Sequence, residues 1–322
     1  EIAGHSHSID KRLAVRVNDP LELPDADLPI DPYVLGAWLG DGASAGGSIS
    51  CADAEVFTQI QAGGGILGVN KTPLRNSAFR NVDGLTTKLR SLGIRGKGQK
   101  SIPDVYLRAS LAQRLALLQG MMDTDGHCNT RGTATFVNTS KALVDGFCEL
   151  AHTLGLKPRR RLHLGEYKGE PYPFWQVSFQ AYKALPPFRI PRKLARCKDG
   201  KRPNPRRYIV ATRRVPSVPM RCIQVDHPEG LYLTGRSMVT THNSTIITFA
   251  GSIFRIIRSH GEDAPVDREV TIGIFSHTKP IAKGFLRQIK YELETNDPLK
   301  LLFDDIFWAE PRKDAAAKWT ED

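Results

Sequence analysis

The sequence predicts an α+β protein: two related α/β halves, then a small all-β segment, then the start of an α/β domain of another kind. Three observations carry this reading. Two helix-patterned runs, "YVLGAWLGDG" ending at Gly42 and "ASLAQRLALLQGMMDTDG" ending at Gly126, close on the same Asp-Gly dipeptide, 84 residues apart. Short β-branched runs separated by Pro and Gly fill residues 206–243, as in a small sheet with tight turns. From Ser244 the pattern turns abruptly to an apolar helical run and then to "REVTIGIFSHTKP", a buried-type strand entering a turn, the order of an α/β domain.

With 322 residues and 40% hydrophobic content, the chain has room for two or three domains with buried cores. No apolar stretch approaches the roughly 20 residues that cross a bilayer, so no membrane partner is expected. Five cysteines without a CxxC spacing indicate neither a zinc site nor a disulfide framework, and a reducing, cytoplasmic setting is the simpler expectation. The first residue is Glu1, from which an incomplete or processed chain is expected. As to assembly, a monomer is expected. The net charge of +11 is uneven: residues 244–322 hold 11 Lys and Arg against 13 Asp and Glu, leaving 34 against 21 for the first 243. Arg189 to Arg214 alone holds 11 basic residues against Asp199, and Arg159, Arg160 and Arg161 add a second cluster. Such density suits phosphate, because each neutralised phosphate releases counterions; a solvated face or linker is the alternative. The aromatics Trp175, Phe179 and Tyr182 between the clusters favour nucleic acid.

Four segments follow. Residues 1–28 are polar and Pro-punctuated, a linker and the tail of something earlier. Residues 29–205 hold the paired helices. The first starts at Asp31-Pro32, a cap followed by proline, and the second is opened by Ser110. Each is followed by strand-like and helical pieces, "GGSISCADAEVFTQIQAGG" and "CNTRGTATFVNTSKALVDGFCELAHTLGL", so the region reads as a weak internal repeat. Residues 206–243 are the all-β segment, and residues 244–322 the α/β start, with a long helix through Glu294.

Aligned, "VLGAWLGDG" and "LQGMMDTDG" put Gly36 and Gly120 at the third position and Asp41 and Asp125 at the eighth. Small residues on one face let two helices dock closely and bring the two carboxylates together. Paired carboxylates are what a divalent-metal phosphodiesterase needs. A lone Asp-Gly would merely cap a helix; two copies with matching glycines argue for more. These residues resemble the LAGLIDADG homing endonucleases in their two-motif, single-chain form. The resemblance implies two αββαββ halves whose strands cover double-stranded DNA, with Asp41 and Asp125 binding Mg²⁺ or another divalent cation. "QKSIPDVYLRAS" resembles the family's Lys-x-Ile-Pro element, which makes Lys100 the basic residue that stabilises charge or orients water, with Lys193 in "FRIPRKLAR" as its counterpart. With Arg159, Arg160 and Arg161, Lys193 is also a candidate DNA contact. The first motif departs from the family at Trp38 and Gly40.

An Asn before Ser at an abrupt junction has its own chemistry. The Asn amide can attack its own backbone carbonyl, forming a succinimide and cleaving the chain after it; a hydroxyl next door can first accept an acyl group. His242-Asn243-Ser244 resembles the C-terminal splice junction of an intein, with Asn243 cyclising, His242 assisting and Ser244 beginning the C-extein. "RCIQVDHPEGLYLTGRSMVTTHN" resembles the last strands of the Hint fold, and Cys222 together with Thr241 resembles the class 3 inteins, where this cysteine attacks the upstream junction and forms a branched thioester. A thiolate is the stronger nucleophile; a small buried hydrophobe is the alternative reading of Cys222. The resemblance implies no cofactor for splicing, and it requires an N-terminal intein segment with a Thr-x-x-His element and an N-extein, both expected outside this chain, whose residues 1–28 hold only the last piece. The chain by itself is not expected to splice.

Ser244-Thr245 run straight into a helix, as the end of a phosphate-binding loop does, and "VTIGIFSHTKPIAKGFLRQI" resembles the ATPase domain of phage terminase large subunits, which implies a phage-infected or prophage-bearing bacterial cell. The expectation is an endonuclease and C-terminal splicing segment interrupting a terminase-like ATPase. A catalytically decayed DNA-binding module fused to an ATPase fragment is the alternative, and a hedgehog-type self-cleaving domain fits poorly with a terminal His-Asn before a downstream domain.

Overall fold

A computed structural model describes residues 14–68, 78–200, 206–209, 225, 230–242, 252–253, 256–257, 272 and 279–304. In chain order the elements are β1 (Ala14–Arg16), α1 (Pro32–Asp41), β2 (Ser48–Cys51), α2 (Ala54–Ala62), β3 (Ala78–Asn81), α3 (Leu85–Ser91), α4 (Asp104–Leu107), α5 (Leu111–Thr124), β4 (Gly126–Cys128), β5 (Thr133–Asn138), α6 (Lys141–Thr153), β6 (Arg159–Tyr167), β7 (Glu170–Gln180), α7 (Pro191–Leu194), β8 (Arg206–Tyr208), β9 (Leu231–Thr234), β10 (Val239–His242), α8 (Lys279–Thr295) and α9 (Asp297–Leu302). Two compact units result, Glu1–Arg214 with Leu233–Thr240, and Val215–Tyr232 with Thr241–Asp322.

The two expected motif helices form where the caps predict. Asp31 accepts a hydrogen bond from Val34 N at 3.1 Å ahead of Pro32, satisfying an orphan donor of the first turn. Ser110 and Gln113 make a reciprocal capping box at the start of α5,. Every residue of α1 from Pro32 to Leu39 is buried, so this helix is a central element with no solvent face. Its partner is α5, and glycine sets how close they come. A Cβ on Gly36 would sit 2.2 Å from Leu117 O, and one on Gly120 would sit 2.2 Å from Tyr33 O. The helices therefore touch backbone to backbone, and both Asp-Gly ends finish at the same level.

The second half is complete. Its four strands run in the order β4-β5-β7-β6, all antiparallel, and α6, capped by Ser140, covers one face through Phe147, stacked on Phe136 at 4.3 Å and tilted against Phe179. Among the described residues the first half shows less than the expected αββαββ unit. Among the described residues it has one two-stranded sheet, β2-β3, extended by single bridges at Gly42–Ile49 and Leu67–Val82. The segments joining these pieces, "ASAGG" and "AGGG", carry too few side chains to hold long strands. By contrast, β6 and β7 span 9 and 11 residues.

Of the segment expected to be all-β, the described residues hold the strands β8, β9 and β10. β8 pairs antiparallel with β1, β9 and β10 form a two-stranded sheet, and Val17 bridges to Val239. In the other unit α8 matches the expected long helix, and Asn296 caps α9 by accepting from Leu299 N at 3.0 Å. Cys222, Asn243, Ser244 and the strand expected at 269–276, apart from Ile272, lie outside the described residues.

Replacing Gly120 by alanine drives a methyl group into the Tyr33 carbonyl; we expect a stability loss of roughly 3 kcal/mol, the upper end of overpacking, read by urea unfolding. A Gly120→Ala protein as stable as wild type would contradict the backbone contact.

Candidate active site

Asp41 is the last residue of α1 and Asp125 the C-cap of α5. Because the helices touch, their half-buried carboxyls come close enough for each to shift the other's titration. Burial raises both carboxyls; the Asp41 charge adds to it at Asp125, which is pushed up to about 7. Two carboxylates in one site cannot both ionise cheaply without a cation.

Each carboxyl lies beside a lysine held in the same way. Lys100 Nζ donates to the carbonyls of Trp38, Leu39, Gly40 and Gly42 at 2.9, 3.2, 3.1 and 2.7 Å. Lys193 Nζ donates to those of Met122, Asp123, Thr124 and Gly126 at 3.1, 2.6, 3.5 and 2.7 Å. Relative to Asp41 and Asp125 the four offsets are identical. These carbonyls are the orphan acceptors of a helix C-terminus, so each ammonium closes its helix and leaves a positive charge beside the carboxyl pair. Burial pushes Lys100 down to about 8 against the pull of Asp125 and Asp41, and burial likewise lowers Lys193. The Trp38 ring carries the Lys100 ammonium at 4.8 Å from the centroid, and its Nε1 donates to Gly46 O at 2.8 Å,.

Asp123 is a site residue that sequence reasoning missed. It is fully buried, accepts from Tyr33 Oη of the other motif helix at 2.9 Å, and accepts from the amides of Arg189 and Ile190 at 3.1 and 3.3 Å. It thus fixes the turn that delivers Pro191 and Lys193. The only hint in the sequence is an acid two positions before Asp125.

Beyond the carboxyls lies the open face of the second-half sheet. Alternation along β6 and β7 puts Val177 and Phe179 against α6 and leaves Gln176, Ser178 and Gln180 on the open face with His127, Thr135, Arg159 and Arg161, an assignment that the register supports. Phe174 and His163 stack there at 5.3 Å. Two expected DNA contacts are corrected. Arg160 turns to the α6 face, where it pairs with Asp145 and lies 5.0 Å from the Trp175 ring centroid. Lys193 is buried at 6% exposure under the α5 carbonyls, because its charge completes that helix end.

Part of the chain is similar to known proteins. Residues 112–182 match the LAGLIDADG-like domain. The match covers α5, β4, β5, α6, β6 and β7, up to the residues just after β7. A replicative DNA helicase DnaB of Mycobacterium intracellulare is 35% identical over 255 residues, 76% of this chain and 41% of the relative. A replicative DNA helicase DnaB of Mycobacterium leprae is 60% identical over 38 residues, 12% of this chain and 6% of the relative. The chain thus spans about two-fifths of the length of the first relative. Among solved structures, the homing endonuclease I-DmoI in mesophilic variants is 15% identical, with a TM-score of 0.33 over 47% of this chain and 82% of that one. I-DmoI in complex with DNA and Mn is 16% identical, with a TM-score of 0.32 over 47% and 88%. Full-length DUF199/WhiA from Thermatoga maritima is 10% identical, with a TM-score of 0.32 over 87% of each chain. Both curated relatives carry the name of a replicative helicase and not of a terminase. The terminase resemblance is corrected on that ground; a strand, a turn and a helix are common to α/β domains of many functions.

Where α1 and α5 end, the donors that face each other are hard carboxylate oxygens. Among the described residues no group of three or more His, Cys, Asp and Glu is placed to hold a metal, so a cation at Asp41 and Asp125 would take its other ligands from water or phosphate, as Mg²⁺ commonly does. Thr241 and the backbone of His242 end β10.

An unfolded Asp titrates near 4, whereas Asp125 in the fold titrates near 7. Between those values the folded state holds the extra proton, so metal-free stability falls as pH rises through that window and stays lost above it. We expect Asp125→Asn to raise the melting temperature of the metal-free protein at pH 8, with the gain shrinking toward pH 4. A gain that grew on acidification would contradict the assignment.

Proposed function

We propose that residues 29–205 form a metal-dependent endonuclease for a double-stranded DNA site, carried within a protein-splicing element whose C-terminal segment is residues 206–243. The observation that carries the nuclease reading is the pair Asp41 and Asp125 at the ends of two touching helices, each helix end held by an identically framed lysine. A divalent cation held there would neutralise phosphate charge and lower the pKa of a water nucleophile. Asp41 and Asp125 hold and orient it. Lys100, beside both carboxyls, adds positive charge where charge develops on phosphate. Arg159 and Arg161, with the polar side chains of the open face, bind and align the duplex, phosphate contacts positioning it and base-edge contacts reading it.

The splicing reading rests on the residue order Cys222, Thr241, His242, Asn243, Ser244. Cys222 would take the upstream acyl group as a thioester, Ser244 would receive it, and Asn243 would cyclise with His242 assisting. In its support, a match over 76% of the chain is longer than the 79 residues after Asn243, so most of the likeness to a helicase-named protein lies before the seam. That is expected where the shared part is an element inserted in an ATPase-type host.

Two experiments test the two activities separately. Incubated with duplex carrying its target site, the wild-type protein should cleave in Mg²⁺ or Mn²⁺ and stop on chelation. Asp41→Asn or Asp125→Asn should lower cleavage at least about 1000-fold while still shifting the duplex in gels, an effect of the size expected for loss of a main electrostatic group. Arg159→Ala with Arg161→Ala should flatten the salt dependence of binding by about two units of slope. Metal-independent cleavage would sink the nuclease reading. In a precursor with the upstream segment restored, mass spectrometry should find a ligated product in wild type and none in Cys222→Ala or Asn243→Ala; no ligated product in wild type would remove the splicing reading, and ligation that persisted in both variants would remove the roles given to Cys222 and Asn243.

A further inference from the structure

The outer face of α6 carries Asp145, Glu149 and His152, spaced to lie on one stripe of the helix. It does not face the carboxyl pair or the open sheet. Its contacts run to the hairpin β9–β10. Arg207 of β8 bridges the two: one guanidinium nitrogen lies 2.8 Å from His152 Nδ1 and the other donates to Ser237 O at 2.6 Å. An arginine only donates, so Nδ1 is the acceptor and the ring proton sits on Nε2. Burial and the neighbouring guanidinium push His152 down to about 4, which keeps the ring neutral for this role. Glu149, only 7% exposed at its side chain, takes Arg236 of the hairpin turn at 3.6 Å and Arg108 at 2.6 Å.

Two further features show that the hairpin tip is seated. Met238 is buried at 8% exposure although it belongs to a tight turn closed by Met238 N to Gly235 O, and its φ of 48° is in the left-handed region. A non-glycine residue holds that conformation only where surrounding contacts compensate for it. At the other end Thr240 Oγ1 donates to Arg16 O at 3.3 Å, and Val239 bridges to Val17. A cavity of about 430 Å³ lined by Glu149, His152, Arg160, Arg236 and Ser237 lies at the junction.

We propose that the Glu149–His152 face of α6, with Arg207 as the bridge, is the docking seat for hairpin β9–β10, and that efficient cleavage at the Asn243-Ser244 sequence that follows β10 depends on this hairpin being anchored. The endonuclease domain is then a working part of the splicing element and cannot be deleted without loosening the strand that leads into the junction. The second clause rests on the splicing reading; the first stands on the contacts alone.

Amide hydrogen exchange on the whole chain tests the seat. Arg207→Ala and His152→Ala should speed exchange in the segment 231–242 by at least about tenfold, the effect of losing one charge-assisted hydrogen bond, with β5 and β7 unchanged. His152→Asn, which keeps an acceptor near the Nδ1 position, should restore part of the protection. Equal protection of 231–242 in wild type and Arg207→Ala overturns the seat, as does loss of protection that spreads equally over β5 and β7. In the restored precursor, Arg207→Ala should slow C-terminal cleavage several-fold; a loosened hairpin with undiminished cleavage overturns the coupling. A wild-type precursor that never cleaves removes the splicing reading and leaves the seat to be judged by exchange.

Discussion

Everything at the candidate site depends on two helices being allowed to touch at the backbone. With any side chain at Gly36 or Gly120, α1 and α5 would have to separate, because a Cβ there would lie only 2.2 Å from a carbonyl of the opposite helix. The carboxyls of Asp41 and Asp125 would then no longer lie together, and Asp123 would lose Tyr33. The core around the contact reinforces it: α1 is buried from Pro32 to Leu39 and α5 buries Leu117, Leu118, Met121 and Met122. Apolar burial on both flanks offsets the cost of placing two ionisable groups where water is scarce. Stability is spent at the one place where charge must be handled, which is how functional sites commonly differ from the rest of a fold.

The near-two-fold frame is exact in its lysines and broken in its surroundings. Lys100 and Lys193 occupy the same four carbonyl offsets, yet one is half-buried over Trp38 and the other is enclosed. Asp123 has Leu39 as its counterpart in the first motif, so only the second half is tied through a buried carboxyl to the turn bearing its lysine. The sheets differ likewise, four strands against two among the described residues. A single chain with two halves is free to diverge in this way, since neither half must match its own copy.

Much of this could be read in the amino-acid order because it rests on local rules. Glycine at the third position, Asp-Gly at the end, Asp31-Pro32 and Ser110 at the starts are short-range signals, and all sit where the helices require them. The amphipathic pattern of α6 was as plain. The β6–β7 hairpin was not, because "RRRLHLGEY" places Arg160 on the covered face, where Asp145 and Trp175 satisfy it, so the alternation that marks a strand is lost and the run reads as bare charge. The equivalence of the lysines was obscured by opposite spacing: Lys100 lies two residues before Ile102-Pro103, and Lys193 two after Pro191. Asp123 depends on partners 66 to 90 positions away, a distance at which no periodicity gives warning.

The pairing of β1 with β8 has a consequence for how such a domain is accommodated. Ala14 to Arg16 lie in register with Arg206 to Tyr208, so the 189 residues between them leave and rejoin the sheet at neighbouring strands. Closing a flexible loop of that length would cost on the order of 5 kcal/mol in chain entropy. A folded body whose two ends already lie side by side carries that cost internally and leaves the flanking strands undisturbed. From the standpoint of the sheet, the whole of residues 17–205 is thermodynamically equivalent to a short turn.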